Sequence, residues 1–205
     1  YFHSDCAQSF GKTKLAMNNK NIDMISFSAH KFHGPKGVGG LVIRKRDGIS
    51  LPIKPLMYGG GQERGVRPGT LPVALIAGMA KSLEISIKNQ DKWDSECKEI
   101  KSMALDAFKG IQYKVYGTTD QNTLPNTLSI AFADLDAEAV ILILKEHAEI
   151  STGSACTSDS YTPSHVISSM GASRDEAQRV VRFSWGKETN PDVFKSIATL
   201  LQPLL

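Results

Sequence analysis

The chain has 205 residues, of which 41% are hydrophobic and 22% are charged, proportions typical of globular proteins. Its net charge of +3 comes without basic runs, which does not favour nucleic acid as a direct partner. No apolar run approaches the roughly 20 residues of a membrane-spanning helix, so we expect no association with a membrane.

The three cysteines, Cys6, Cys97 and Cys156, are widely spaced. An odd number at such spacing suits neither a disulfide framework nor a zinc site with paired ligands, so no metal site is predicted. We expect a reducing compartment, the cytoplasm. The first residues have neither an initiator Met nor the character of a signal peptide, which indicates a chain cut inside a domain.

Strands and glycine-rich loops alternate in the first part of the chain. Apolar runs at 23–27 and 41–44 flank a glycine-dense segment, which predicts strand, loop, strand. The polar segment 59–70 has too many glycines to pack a core, and such loops approach a ligand or another subunit. Apolar residues at helical spacing over 73–87 and 93–108 predict a pair of helices that bridges two domains.

Strands and helices alternate in the rest of the chain. Ser173 and Glu176 spell a capping box, in which each side chain satisfies a free backbone amide at a helix start. Asn190 before Pro191 predicts the start of the last helix. The predicted elements are strands at 113–116, 127–132 and 180–185, and helices at 137–147, after Pro163, after Ser173 and from Pro191 to near Leu201. This mixture predicts an α/β or α+β chain in two unequal parts, the first of them incomplete.

The segment Ser28-Ala29-His30-Lys31 places a lysine just after a predicted strand, beside hydroxyl and imidazole donors and ahead of several glycines. An aldehyde cofactor needs an amine whose pKa its surroundings can lower, and a phosphate needs several donors close by. Lys31 would supply the amine, and Ser28 and His30 would supply the donors. The alternative for the tetrapeptide alone is a solvated loop lysine beside a histidine that packs on a neighbour.

The string SFSAHKFHGPKGVGG at 26–40 resembles the pyridoxal-phosphate lysine segment of the cysteine desulfurases, the NifS/IscS-like members of the class V aminotransferase family. Four further segments resemble that family in the same order and at similar spacing. They are SDCAQSFGK at 4–12, GGGQERGVRPGT at 59–70, STGSACTS at 151–158 and VVRFSWG at 180–186. Since these segments cover nearly the whole chain, it resembles the C-terminal half of such an enzyme.

The resemblance implies an α/β fold, that of a fold-type-I pyridoxal-phosphate-dependent transferase. Residues 1–88 would form the C-terminal part of the large cofactor-binding domain, and residues 89–205 a small C-terminal α+β domain with the active-cysteine loop. The cofactor would be pyridoxal 5'-phosphate. Its binding residues would be Lys31 for the aldehyde, Asp5 for the ring nitrogen, Gln8 for the phenolic oxygen, Ser28 and His30 for the phosphate, and Thr70 for the phosphate in the neighbouring subunit of a homodimer.

Two further residues would act on the substrate. Arg182 lies inside an apolar run, where a lone charge is costly unless it has a partner. A substrate carboxylate, bound through two parallel hydrogen bonds, is such a partner. The alternatives for Arg182 are an internal salt bridge or an exposed position on an edge strand. Cys156 lies among small polar residues that cannot bury a thiol, and the resemblance makes it the nucleophile that accepts sulfur. Cys6 and Cys97 are expected to be small buried residues instead.

The function that the resemblance implies is removal of sulfur from L-cysteine, which gives L-alanine and a persulfide for a sulfur-acceptor protein. The acceptor would serve iron–sulfur cluster assembly, tRNA thiolation or DNA phosphorothioation. The chain alone is expected to be inactive, because the missing N-terminal half of the same enzyme supplies further cofactor contacts. The alternatives are a selenocysteine lyase, another fold-type-I aminotransferase, or an inactive scaffold.

Overall fold

The structure is a computed structural model, and it describes residues 1–15, 19–117, 123–152 and 163–204. The chain divides into two compact units, Tyr1–Gln90 and Asp91–Leu205, each with a β-sheet of its own. The first unit carries an excess of Lys and Arg and the second an excess of Asp and Glu, so the small net charge conceals two units of opposite charge. Within the described ranges, no helix is both long enough and apolar enough to cross a membrane.

The first unit is built on three strands, β1 (His3–Asp5), β2 (Met24–Ser28) and β3 (Gly39–Ile43), which form one sheet in that order. β1 runs parallel to β2, whereas β3 is antiparallel to it. A 3-10 turn, Ala29–Phe32, follows β2 directly, and a second, Gln62–Gly65, lies in the glycine-rich loop. The predicted succession of strand, loop and strand is confirmed.

A buried carboxylate fastens the start of this sheet. Asp23, which is 1% exposed, accepts hydrogen bonds from Nε and Nη2 of Arg46 at 2.5 and 2.9 Å and from the backbone N–H of Phe2 at 2.7 Å. The Arg46 guanidinium, and after it the Phe2 amide, hold the pKa of Asp23 below its ordinary value. Since Phe2 precedes β1 and Asp23 precedes β2, these bonds tie together the beginnings of the two parallel strands.

A single helix, α1 (Val73–Ala107), follows the glycine-rich loop and continues into the second unit. The prediction of two helices, at 73–87 and 93–108, is therefore wrong. The residues between those stretches, 88–92, include neither glycine nor proline, so nothing in the sequence ends the helix there.

The second unit is built on four strands, which are β4 (Tyr113–Tyr116), β5 (Thr127–Phe132), β6 (Ser151–Thr152) and β7 (Val180–Ser184). They form an antiparallel sheet in the order β4, β5, β7, β6. The helices beside it are α2 (Ala137–Leu144), α3 (His165–Ser169), α4 (Arg174–Gln178) and α5 (Val193–Leu201). The strands and helices predicted for this part are confirmed, with some ends displaced by a few residues.

The main core of the second unit packs against alternate residues of β7. Val181 and Phe183 of this strand lie in one buried cluster with Phe108, which follows α1 directly. Phe108 also meets Phe194 of α5 edge to face, with ring centroids 6.2 Å apart. Cys97 lies in the same cluster, so its expected place as a small buried residue is confirmed.

The predicted capping box is confirmed at the start of α4. The Ser173 side chain accepts a hydrogen bond from the Glu176 backbone N–H at 3.2 Å, and the Glu176 carboxylate accepts one from the Ser173 backbone N–H at 2.9 Å. Lys114 of β4 donates to the same carboxylate at 2.7 Å. This ammonium, and next the Ser173 amide, lower the pKa of Glu176 to about 2. The box therefore also links α4 to an edge strand of the sheet.

The last helix begins later than predicted. Asp192, and not Asn190, is the cap residue of α5, while the Asn190 side chain accepts a hydrogen bond from the Asp192 backbone N–H at 3.0 Å. Pro191 therefore lies ahead of the helix and not in its first turn.

Candidate active site

The candidate site residues of the first unit gather at one edge of its sheet. Asp5 ends β1 and Ser28 ends β2, and because these strands are parallel their carboxyl ends lie at the same edge. His30 and Lys31 follow on the 3-10 turn. Ligands of α/β sheets bind outside the carboxyl ends of the strands, so these side chains lie where such a ligand is expected.

Three residues with polar side chains, Ser28, His30 and Lys31, lie within four consecutive positions at the end of β2 and on the turn after it. Ser28 Oγ and His30 Nδ1 lie 3.0 Å apart, within hydrogen-bond distance. Ser28 and Lys31 are half-buried, and His30 is exposed. A hydroxyl, an imidazole and an amine in one place can bind an anion and an aldehyde of the same molecule.

Asp5 and Gln8 belong to the end of β1 and the turn that follows it. Asp5 Oδ1 accepts a hydrogen bond from the Ala7 backbone N–H at 2.8 Å, which holds the carboxylate at the start of the turn. Gln8 Oε1 accepts a hydrogen bond from Lys12 Nζ at 3.3 Å. Both Asp5 and Gln8 are exposed, so their remaining polar atoms are accessible to a ligand.

Three phenylalanines join the turn after β1 to the turn that carries Lys31. The rings of Phe10 and Phe27 stack with centroids 4.0 Å apart and an interplanar angle of 5°. Phe32 is fully buried, and its ring centroid lies 5.7 Å from that of Phe10 and 6.2 Å from that of Phe27. Since buried aromatic rings are strong apolar anchors, this cluster keeps the Gln8 segment beside the Lys31 segment.

Gly11 permits the close approach of these two turns. Its φ of +76° lies in the left-handed region, which favours glycine. A Cβ built on Gly11 would lie 2.9 Å from Cβ of Phe32. A side chain at this position would therefore strain the backbone and press the turns apart.

Small residues on α1 allow the helix to lie against the lysine turn. Gly78, Ser82 and Ser86 recur every four residues and share one face of the helix. The Ser86 hydroxyl donates to the backbone carbonyl of Phe32 at 3.4 Å. A Cβ built on Gly34 would lie 2.7 Å from the hydroxyl oxygen of Ser82. Helix α1 therefore holds the backbone that directly follows Lys31.

This edge of the sheet has the chemistry that pyridoxal phosphate requires. The cofactor needs an amine for its aldehyde, donors for its phosphate and a carboxylate for its ring nitrogen. Lys31, the pair Ser28 and His30, and Asp5 supply these groups at the carboxyl ends of two adjacent strands. The donor set present in the first unit therefore fits the cofactor.

Thr70 lies at the exposed end of the glycine-rich loop, and no described hydrogen bond joins it to Lys31 or its neighbours. In this loop Gln62 Oε1 accepts a hydrogen bond from the Gly69 backbone N–H at 3.1 Å. Glu63 and Arg64 have left-handed φ values of 50° and 57°. Such strain in residues other than glycine is typical of functional loops.

Arg182 lies in the second unit, on a strand with neighbours on both sides. It pairs with Ser129 of β5 and with Ser151 of β6, so the alternative of an edge strand is excluded. Its Nε is buried, and among the described residues it has no hydrogen-bond partner. An unpaired buried guanidinium nitrogen is costly, which keeps a ligand carboxylate as a candidate partner.

Cys156 lies outside the described residues, as do its neighbours at 153–162. The chain enters this segment from β6, where Ser151 is the sheet partner of Arg182. The strand with the candidate carboxylate-binding arginine is thus paired with the strand that leads to the candidate nucleophile.

Some residues assemble the site without taking part in its chemistry, and the sequence did not predict this role for them. Phe10, Gly11 and Lys12 all lie within four positions of Gln8. Among these three, the glycine was the available signal of a close backbone approach. The four-residue spacing of Gly78, Ser82 and Ser86 was a second available signal, because small residues at helical spacing mark a close packing face.

Comparison with known proteins identifies the family. The chain matches the family model Aminotransferase class-V over residues 1–192. It is 42% identical over 191 residues to Cysteine desulfurase IscS from Rickettsia bellii (strain OSU 85-389), across 92% of this chain and 46% of the relative. A solved NifS-like protein has a TM-score of 0.83 and 30% identity, across 98% of this chain and 51% of that one. The structure of SspA in complex with cysteine has a TM-score of 0.69 and 33% identity, across 92% of this chain and 51% of that one.

These matches confirm the resemblance to the cysteine desulfurases and the fold-type-I fold. Enzymes of this kind depend on pyridoxal phosphate. The chain spans about half the length of the curated relatives it matches. It belongs to the aminotransferase class-V family.

Proposed function

We propose that this chain is part of a pyridoxal-phosphate-dependent cysteine desulfurase, which removes sulfur from L-cysteine and leaves L-alanine. The observation that carries the proposal is the sheet edge where Lys31 shares a turn with Ser28 and His30, beside Asp5. The Rickettsia bellii relative is named a cysteine desulfurase, and the SspA structure contains cysteine. Both favour this activity over that of a selenocysteine lyase or another aminotransferase.

In this proposal, side chains of the first unit hold the cofactor. Lys31 would bind its aldehyde, Ser28 and His30 its phosphate, Gln8 its phenolic oxygen and Asp5 its ring nitrogen. When bound, pyridoxal phosphate supplies an electron sink for bond breaking at the α-carbon of an amino acid. The Asp5 carboxylate would keep the ring nitrogen protonated, which strengthens that sink. The freed amine of Lys31 would carry the proton at the α-carbon.

Residues of the second unit would act on the substrate. Arg182 would bind the carboxylate of L-cysteine through two parallel charge-assisted hydrogen bonds. The Cys156 thiolate would attack the substrate sulfur, so that the carbon–sulfur bond breaks and the sulfur stays on Cys156 as a persulfide. A sulfur-acceptor protein would then receive it for iron–sulfur cluster assembly, tRNA thiolation or DNA phosphorothioation.

Replacing Arg182 with glutamine in the intact protein, meaning the longer protein that contains this chain, is expected to raise KM for L-cysteine about 100-fold. The reason is that each lost charge-assisted hydrogen bond contributes about 1.5–3 kcal/mol. Steady-state rates of alanine formation measure this effect. Arg179→Gln is the matched control, because Arg179 lies 3.9 Å from the exposed Asp134 and outside the proposed site. A lower kcat with unchanged KM in Arg182→Gln would contradict the assignment.

Replacing Gly11 with alanine is expected to weaken binding of pyridoxal phosphate by the intact protein about tenfold or more. The added Cβ has no room against Phe32, so the Gln8 turn must move away from Lys31, and small displacements in a site are costly. Titration followed by absorbance measures the affinity. Gly48→Ala is the control, because Gly48 has a similar φ of +79° but nothing within 4 Å of the new Cβ. Equal losses in both variants would argue against the Phe32 contact.

Two proposals concern the organisation of the protein. Residues 1–88 would be the C-terminal part of the large cofactor-binding domain, and 89–205 the small domain, in keeping with the division of the chain into units after Gln90. The intact protein would be a homodimer in which Thr70 reaches the phosphate of the neighbouring subunit. Leu56 and Tyr58, which precede the glycine-rich loop and are 98% and 85% exposed, support an interface there.

The proposed setting is a reducing compartment such as the cytoplasm. Cys6 and Cys97 are both buried, where a thiol packs as a small apolar side chain, and the three widely spaced cysteines of the chain do not suit a disulfide framework. The chain without the rest of the intact protein is proposed to be inactive, because about half the length of its relatives is absent from it.

The test of the proposed function is an absorbance spectrum of the intact protein with pyridoxal phosphate, recorded before and after addition of L-cysteine. A visible band that changes with cysteine and is followed by equal amounts of alanine and transferred sulfur would support a desulfurase. Cofactor binding with transamination of cysteine and no release of sulfur would contradict it.

A further inference from the structure

The turn after β1 contains a hydrogen bond between the side chains of Lys12 and Gln8. Lys12 Nζ donates to Gln8 Oε1 at 3.3 Å, across the four-residue spacing of a helical turn. Gln8 is exposed, whereas Lys12 is half-buried. The backbone N–H of Lys12 donates to the Ser9 carbonyl at 3.0 Å, so the base of the lysine is held by the turn itself.

The chemistry of these two side chains decides which way the glutamine amide faces. A glutamine amide has one oxygen that accepts hydrogen bonds and one NH2 group that donates them. A lysine ammonium has three donors and no acceptor, so it can bind only the oxygen. When Lys12 holds Oε1, the NH2 group is the end of Gln8 that remains for another partner.

A phenolic oxygen of pyridoxal phosphate needs that end of the amide. When the oxygen is deprotonated it is an acceptor with negative charge, which an amide NH2 stabilises and an amide oxygen repels. The neighbouring contacts also resist a swing of the whole turn, because Gly11 lies against Phe32 and Phe10 stacks on Phe27.

We propose that Lys12 is a positioning residue that holds Gln8 with its amide NH2 free to donate to the phenolic oxygen of pyridoxal phosphate. This inference rests on the proposed function, because the role of Gln8 belongs to it. Lys12 acts through Gln8 and makes no direct contact with the reacting atoms.

The test follows the visible absorption band of pyridoxal phosphate bound to the intact protein as a function of pH. Without Lys12, the Gln8 amide NH2 is no longer held toward the phenolic oxygen, and the negative charge on that oxygen is less stabilised. The bound cofactor then takes up a proton more easily, so Lys12→Met is expected to move the pH midpoint of the band upward by about one unit. Lys12→Arg, which keeps a donor-only cation, is expected to restore the midpoint. Lys20→Met removes an equal charge from an exposed site of the same unit and is expected to leave the midpoint unchanged.

A double-variant cycle shows whether Lys12 acts through Gln8. Gln8→Leu alone is expected to move the midpoint upward as well, and Lys12→Met is expected to add nothing further in that background. An equal shift with and without Gln8 would overturn the proposal, as would a midpoint that stays unchanged in Lys12→Met. If Lys12→Met fails to fold, Lys12→Ala enters the same cycle. A wild-type protein that never shows the band overturns the proposed function, and this inference with it.

Discussion

Lys31→Ala in the intact protein is expected to abolish the visible band of the bound cofactor and to slow alanine formation from L-cysteine about 10³-fold or more. The amine has two proposed duties, since it binds the aldehyde and afterwards carries the proton at the substrate α-carbon. The 3-10 turn holds the backbone of Lys31 between the buried residues Ala29 and Phe32. The spectrum and the initial rate are measured on the same sample.

Two further variants show whether the loss in Lys31→Ala is due to the reactive amine of Lys31. Lys31→Arg is expected to be as inactive as Lys31→Ala, because a guanidinium does not lose its proton in proteins and cannot act as a nucleophile. Lys36→Ala removes an exposed lysine from the same loop and is expected to keep both the band and the rate. A Lys31→Ala protein that still turns over cysteine would eliminate the proposed site.

Cys156→Ser is expected to lower repeated turnover about 10³-fold while cofactor binding remains at its wild-type value. A serine hydroxyl has almost no oxyanion at neutral pH and forms no persulfide, so sulfur has no acceptor on the protein. The measurement joins the cofactor spectrum to intact mass after cysteine addition, where the wild type gains the mass of sulfur and the variant does not.

Ser158→Ala is the control for Cys156→Ser, since it changes a hydroxyl in the same polar segment and leaves the thiol in place. Persulfide formation is expected to persist in this control. Loss of cofactor binding in Cys156→Ser would instead mean that the cysteine has a structural role.

The predictions that succeeded rest on local chemistry. The capping box of Ser173 and Glu176 is confirmed because both of its hydrogen bonds join residues of one helical turn. The strand before Lys31 is confirmed because a run of apolar residues beside a glycine-dense loop has few alternative structures. The prediction of two helices between 73 and 108 is wrong because residues 88–92 contain neither glycine nor proline to end the first helix, so it continues through them.

The site divides in the same way between sequence and structure. The sequence by itself determined which side chains are candidates, because the motifs around Lys31, Asp5 and Arg182 resemble those of the family and contain an amine, a carboxylate and a guanidinium. Only the tertiary structure decided that Asp5 and Lys31 share one sheet edge, because parallel pairing of β1 with β2 joins residues that lie far apart in the chain.

The contacts that hold this edge were likewise decided by tertiary structure. Gly11 lies against Phe32, and Ser86 donates to the Phe32 carbonyl, so both contacts join segments that are separated by many residues. Small residues at these positions indicate a close packing face, but no local pattern indicates which segment will pack there. The buried Nε of Arg182 is a fact of the same kind, because burial depends on which strands flank β7. The sequence gives the chemical identity of each side chain, whereas the distances between side chains are set only when the chain folds and packs.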